Sequence, residues 1–157
     1  MHAAGDVGAP LLLFLHGFPE HADSWFDVLP AFAGRWHAVA PNQRGYGHSS
    51  KPEGAAAYAI KHLVRDMLGL PDQLSPDRPA TVVGHDWGGS VAYAMAIAAP
   101  RRVARLAVIN GVHPGPFQRA LIEVEAQQRA SAYMHELRAG DAEQRLSENG
   151  HAGLLDM

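Results

Sequence analysis

The chain has 157 residues, of which 47% are hydrophobic and 18% are charged, and its formal net charge at pH 7 is −3. This composition excludes a disordered chain, and the weak negative charge excludes a typical nucleic-acid-binding protein. The chain contains no cysteine, which excludes disulfides, thiolate catalysis and cysteine-bound metals and is typical of a cytoplasmic protein.

The first apolar run, Leu11 to Leu15, is shorter than a signal-peptide core of roughly 7–15 residues and a membrane span of about 20, so no membrane segment is predicted. Its continuous apolar character indicates a strand buried on both faces. We then expect a helix capped by Asp23 or Ser24 that ends at Gly34, with Pro30 as a point of kinking or breakage.

The middle of the chain alternates between strand and helix patterns. The predicted segments are, in order, a strand in WHAVAP, a loop over Asn42 to Gly54, a helix over Tyr58 to Leu70 closed by Pro71, a strand in ATVVGHD, a helix in GGSVAYAMAIAA ended by Pro100, and a strand in VARLAVIN. This alternation predicts an α/β fold with a mostly parallel sheet covered by helices.

The pattern changes after Asn110. A long helix over Phe117 to Arg138 and a shorter one over Ala142 to Glu148 are predicted, with no further core strand. We therefore expect two parts, residues 1–110 and residues 111–157.

Three polar or glycine-rich segments follow predicted strands: His16 to Glu20, Pro41 to Ser50, and His85 to Gly89. Parallel sheets place their sites at the carboxyl ends of the strands, so these segments are expected to form one site.

The third segment contains GHDWG, which has the Gly-x-nucleophile-x-Gly spacing of a nucleophile elbow. Asp86 occupies the nucleophile position, and Gly84 and Gly88 satisfy the need for small residues in a tight strand-to-helix turn. The alternative is that Asp86 is an ordinary helix N-cap.

Taken together, HGFPE, APNQRGYGHSS and GHDWGG resemble the α/β-hydrolase family, in particular its epoxide hydrolase and haloalkane dehalogenase branch. The resemblance implies a partial α/β-hydrolase core over residues 1–110. It also implies that residues 111–157 form the start of a helical cap domain.

An aspartate nucleophile suits attack at the saturated carbon of an epoxide or alkyl halide. Serine would form an ether, whereas Asp86 would form an alkyl ester that water can cleave at the carbonyl. The implied substrate is a small apolar epoxide, with an alkyl halide as the alternative, and water is the second reactant.

The resemblance also assigns the surrounding residues. The backbone N–H groups of Trp87 and Phe18 are the implied oxyanion-hole donors, and Gly17 and Pro19 belong to the supporting turn. His16 is expected to hold that turn and not to transfer protons.

A cap tyrosine protonates the leaving oxygen in epoxide hydrolases, which makes Tyr133 the implied acid; the alternative is that its ring only packs. Phe18 lacks the side-chain donor that often helps bind halide in the dehalogenases. No HExxH or His-x-His spacing is present, so no metal is predicted, and no cofactor is expected.

The family's triad acid and histidine follow the cap, and neither His113 nor His151 fits that pattern. The chain is thus expected to be a fragment without turnover. The alternative is a non-catalytic binding or dimerising module that completes its sheet through the unpaired edge of its last strand.

Overall fold

A computed structural model describes residues 1–155. Its strands are β1 (His2–Ala4), β2 (Leu11–Leu15), β3 (His37–Ala40), β4 (Ala80–His85) and β5 (Val103–Ile109). Its helices are α1 (Ile60–Leu74), α2 (Trp87–Ala98), α3 (Pro114–Glu123), α4 (Glu125–Ala130), α5 (Tyr133–Leu137) and α6 (Ala142–Leu155). The chain divides into two compact units, Met1–His113 and the part that begins at Pro114. The assignment of these parts to a core and a cap stays a prediction.

The first unit is built on a mixed sheet with the strand order β1-β3-β2-β4-β5. The pairs β2–β3, β2–β4 and β4–β5 are parallel, and β1 pairs antiparallel with β3 at one edge. The chain passes from β2 to β3 on one side and then crosses to β4 on the other. The carboxyl ends of β2 and β4 therefore form a switch point, which is where open α/β sheets bind ligands.

The core lies on both faces of this sheet, as the sequence predicts. Every residue of Leu11–Leu15 is buried. On one face, Leu11, Leu13 and Leu15 pack with residues of α1 and α2. On the other face, Leu12 and Phe14 pack with side chains that include Trp25 and Leu29. Each fully buried leucine contributes about 1.5–3 kcal/mol, so this strand anchors the site that follows it.

The segment after Asp23 does not form the predicted α-helix. It forms two 3₁₀ helices, Ala22–Trp25 and Leu29–Phe32, and the N-cap of the first is His21, not Asp23 or Ser24. Pro30 has no N–H to donate, and the backbone bonds here span three residues, as from Val28 N–H to Trp25 O at 3.0 Å. Tight turns bury Trp25 and Leu29 while Phe26 remains 59% exposed.

The helix predicted to close at Pro71 instead continues to Leu74. Pro71 lies in the last turn, where its ring is buried and its carbonyl accepts from Ser75 N–H at 2.9 Å. A proline so close to a helix end removes one hydrogen bond without ending the helix.

The prediction of a single helix over Phe117 to Arg138 is wrong. Three shorter helices, α3, α4 and α5, cover this stretch instead. Val124 is extended, with φ −119° and ψ 106°, and Ser131 has φ −98° and ψ 5°. Valine and serine are weak helix formers, and the Gln127 side chain donates to Ser131 Oγ at 2.9 Å.

The final helix begins at Ala142 as predicted. The helix extends to Leu155 but is interrupted from Glu148 to His151, where the backbone angles are not helical. Asn149 and Gly150 have positive φ in this break, a conformation that these two residue types adopt readily.

None of the helices within residues 1–155 is long and apolar enough to cross a membrane.

Candidate active site

The turn between β4 and α2 carries Asp86 in a strained conformation, with φ 50° and ψ −119°. The turn is tight, because a Cβ on Gly84 would lie 2.5 Å from Gly88 O and a Cβ on Gly88 would lie 2.4 Å from Leu15 O. Only glycine fits both positions. Strain of this kind is typical of functional turns, where the surrounding structure holds it in place.

The side chain of Asp86 makes no capping hydrogen bond to α2, so the geometry does not match the N-cap alternative. Its Oδ1 instead accepts from the backbone N–H of Phe18 at 2.9 Å. Trp87 is the first residue of α2. Its N–H therefore belongs to the first helical turn, whose N–H groups lack intrahelical acceptors and whose partial positive charge favours a nearby anion.

Phe18 reaches Asp86 because of the strand register. Leu15 at the end of β2 pairs with Gly84 near the end of β4, so the two chains leave the sheet side by side. Gly17 allows the close approach, since a Cβ there would lie 2.6 Å from both Cβ and Oδ1 of Asp86. The Phe18–Pro19 peptide bond in this turn is cis.

His16 is buried beneath the turn, and both of its ring nitrogens have partners. Its Nδ1 lies 2.9 Å from Gly17 O, and its Nε2 accepts from Gln43 N–H at 3.1 Å. A backbone N–H can only donate and a carbonyl can only accept, so this geometry requires a neutral ring with the proton on Nδ1. Burial lowers the pKa of His16, which favours the same neutral form.

Glu20 and His85 form a further polar pair beside the elbow. Glu20 Oε2 lies 3.3 Å from His85 Nδ1, and the Trp25 ring meets the His85 ring edge-on at 6.4 Å. The sequence motifs contain both residues, but our sequence analysis assigned neither a role.

A cleft of about 380 Å³ opens beside the elbow. Its lining is largely aromatic and consists of Phe18, Arg44, Gly45, Tyr46, Tyr58, Leu63 and Trp87. Phe18 and Trp87 are partly exposed, at 38% and 44%, in keeping with their position at the surface of the cleft. A cleft with this largely aromatic lining suits a small apolar ligand.

The loop after β3 forms one wall of this cleft. Arg44 holds the loop to α1 through a bidentate pair with Asp66, with Nε–Oδ2 at 2.7 Å and Nη2–Oδ1 at 2.9 Å. The Tyr46 ring packs edge-on against His16 at 4.7 Å. Burial raises the pKa of Tyr46, and the negative charge of Asp86 raises it further.

Sequence reasoning selected this loop as part of the site but no residue within it. Gln43, Arg44 and Tyr46 contribute to the site or its walls. Their position directly after a parallel strand was the available signal, because such residues converge on the switch point.

The second unit contains Tyr133, the first residue of α5, which lines a cavity of about 240 Å³ with Glu136, Leu137 and Arg145. His151 lies in the non-helical break of α6. In the first unit, His113 packs edge-on against Tyr93 at 5.0 Å. Within residues 1–155, no cluster of three His, Cys, Asp or Glu side chains could hold a metal ion.

A mostly parallel sheet with a strained turn at its switch point places this protein in the α/β fold class. A family model described as the α/β hydrolase fold matches residues 10–147. The chain belongs to the α/β hydrolase fold family.

Its relatives lie in the epoxide hydrolase branch of that family. Epoxide hydrolase 4 of Mus musculus is 37% identical over 133 residues, which cover 85% of this chain and 37% of the mouse protein. Epoxide hydrolase A of Mycobacterium tuberculosis is 45% identical over 108 residues, which cover 68% of this chain and 33% of that protein.

This chain is also similar to the solved structure of a Bacillus megaterium epoxide hydrolase in complex with an inhibitor, with a TM-score of 0.91 and 34% sequence identity. The match covers 99% of this chain and 54% of the Bacillus megaterium chain. The chain thus spans about a third of the length of these curated relatives and about half of that solved structure.

Proposed function

We propose that this chain carries the nucleophile of a hydrolase that opens epoxides through a covalent alkyl ester on Asp86. The observation that carries the proposal is the 2.9 Å hydrogen bond from Phe18 N–H to Asp86 Oδ1 across the strained elbow. The names of the relatives, which are epoxide hydrolases, supply the substrate class.

In the first step, Asp86 Oδ2 attacks an epoxide carbon. A bond from Oδ2 to that carbon forms, the carbon–oxygen bond of the ring breaks, and its electron pair stays on the epoxide oxygen. The carboxylate oxygen is itself the attacking atom, so the proposed step uses no separate base. The alkoxide takes a proton from an acid, for which Tyr133 is the proposed group.

In the second step, water attacks Cγ of the ester. Oδ1 becomes the oxyanion, and the N–H groups of Phe18 and Trp87 stabilise it. Collapse breaks the Cγ–Oδ2 bond: the diol leaves with Oδ2 and the proton that the water gave up, and the water oxygen completes the restored Asp86 carboxylate. Removing one such donor typically lowers the rate about 10²–10³-fold.

Water needs a general base in this second step. His16 cannot act as that base, because its Nε2 accepts from Gln43 N–H and its Nδ1 proton faces Gly17 O. We propose that the 157-residue chain forms the ester without turnover, so that the adduct accumulates.

The cleft favours an epoxide over an alkyl halide. Phe18 offers no side-chain N–H to a leaving halide, which leaves the Trp87 side chain as the single recognised donor. An epoxide oxygen remains attached to the product and needs only protonation. The aromatic lining suits an aryl or other apolar epoxide.

The test is intact-protein mass spectrometry after incubation with a reactive aryl epoxide. The wild type is compared with Asp86→Asn and with Asp77→Asn, which alters an exposed aspartate away from the cleft. We expect one epoxide per chain in the wild type and in Asp77→Asn and none in Asp86→Asn. Equal labelling of Asp86→Asn, or no labelling of wild-type chain that circular dichroism shows to be folded, would contradict the proposal and favour a non-catalytic module.

A further inference from the structure

Gln43 is a buried polar residue for which the proposed chemistry has no direct use. It lies just beyond β3 and is 2% exposed. It makes two contacts with one residue, since its backbone N–H donates to His16 Nε2 at 3.1 Å and its side-chain Nε2 donates to His16 O at 2.7 Å. Gln43 thus holds His16 by both its ring and its carbonyl.

The orientation of the Gln43 amide follows from its partner. His16 O can only accept, so the side-chain NH₂ faces it and Oε1 points away. Within the described residues, buried Oε1 has no hydrogen-bond partner. A buried amide with an unpaired acceptor destabilises the fold relative to an apolar side chain of equal size. The contribution of Gln43 therefore comes from the hydrogen bond that its side-chain NH₂ donates to His16 O.

That bond bears on the elbow through two peptide units. His16 O belongs to the His16–Gly17 peptide, and the next peptide carries the Phe18 N–H that donates to Asp86 Oδ1. The Nδ1 of His16 also lies against Gly17 O, which belongs to that second peptide. Gln43 therefore restrains both peptides that set the direction of the Phe18 N–H.

We propose that Gln43 is a positioning residue that aims the Phe18 N–H at Asp86. The expected effect on the rate of epoxide labelling rests on the proposed function. The expected effect on the Phe18–Asp86 hydrogen bond does not depend on it. Without the Gln43 amide, the backbone of the turn from His16 to Pro19 is less restrained. A misplacement of about 1 Å at a reacting group lowers the rate about 10²-fold.

Gln43→Met tests this, because methionine has a similar length and keeps the backbone N–H but removes the side-chain donor. Gln73→Met is the matched control, since Gln73 is exposed on α1. Amide hydrogen exchange is measured at Phe18, which reports the turn, and at buried Val82 of β4, which reports the sheet. The rate of epoxide labelling is the second readout.

We expect Gln43→Met to speed exchange at Phe18 about tenfold relative to Val82 and to slow labelling at least tenfold, with Gln73→Met unchanged in both. Equal acceleration at Phe18 and Val82 would show an effect on global stability alone and would overturn the inference. So would behaviour identical to Gln73→Met.

If Gln43→Met does not fold, Gln43→Asn, which keeps a buried amide one methylene shorter, is judged by the same criteria. The two proposals fail separately. Absence of labelling in the wild type contradicts the proposed function, while the exchange ratio still decides the role of Gln43.

Discussion

The backbone N–H of Phe18 donates to Oδ1 of Asp86 at 2.9 Å, across 68 positions of the chain. The parallel register of β2 and β4 makes this contact possible, because both residues leave the sheet at the same edge. In the proposed mechanism, this contact holds one carboxylate oxygen where the ester carbonyl would need a donor, and Oδ2 is the attacking atom.

Gly17→Ala is expected to disrupt the contact directly. The added Cβ would lie 2.6 Å from both Cβ and Oδ1 of Asp86, so the carboxylate must move. We expect epoxide labelling to slow about 10²-fold, as measured by intact mass over time. Gly34→Ala, where a Cβ meets open space, is the control. Labelling of Gly17→Ala at the control rate would show that the carboxylate position does not limit the reaction.

Gly88→Ala is expected to destabilise the fold. Its Cβ would lie 2.4 Å from Leu15 O, a backbone atom of a fully buried strand that cannot yield cheaply. We expect a loss of about 1–3 kcal/mol in the free energy of unfolding by urea. Gly69→Ala in α1 has open space around it and should instead stabilise by about 0.5–1 kcal/mol. Equal stabilities of the two variants would refute the tight packing of the elbow.

The stability of the fold should fall in mild acid because of His16. Burial lowers the pKa of His16 below its ordinary value of 6.5, so the unfolded chain binds the proton more readily. The contribution is complete above pH 6.5 and is lost as the pH falls through the lower folded-state pKa. Urea unfolding should show a larger loss between pH 7.5 and 5.5 for wild type than for His16→Gln. The same loss in both proteins would exclude His16 as the cause.

Arg44→Lys should weaken the wall of the cleft. Lysine cannot reproduce the two parallel bonds to Asp66, which is partly buried. We expect the urea midpoint of unfolding to fall and epoxide labelling to need a higher epoxide concentration to saturate. Arg129→Lys alters an exposed pair with Glu125 and should change stability by less than about 0.5 kcal/mol. If Arg44→Lys lowers the unfolding stability no more than Arg129→Lys does, the bidentate geometry of the Arg44–Asp66 pair is unimportant.

The four parallel strands, β2 to β5, and the elbow could be predicted from sequence because local pattern determines them. Leu11 to Leu15 is apolar at every position and only five residues long, which favours a strand buried on both faces, and the glycines around Asp86 favour a tight turn. The order of these elements also predicts the α/β fold class and the end of the sheet at which the candidate site lies.

The remaining features depend on packing or on distant partners. The 3₁₀ helices after His21 and the breaks at Val124 and Ser131 arise where tertiary contacts and side-chain bonds override helical spacing. β1 is only three residues long, and its pairing with β3 identifies it. Gln43 carries no motif signal of its own, because its role depends on His16, 27 positions away.

Peptide mapping of the epoxide adduct by tandem mass spectrometry tests whether Asp86 is the nucleophile. The wild-type chain is incubated with the aryl epoxide, digested and fragmented to locate the added mass. We expect the adduct to lie on Asp86 and to persist after excess epoxide is removed. An adduct on a histidine or on Glu20, with Asp86 unmodified, would contradict the assignment of Asp86 as the nucleophile.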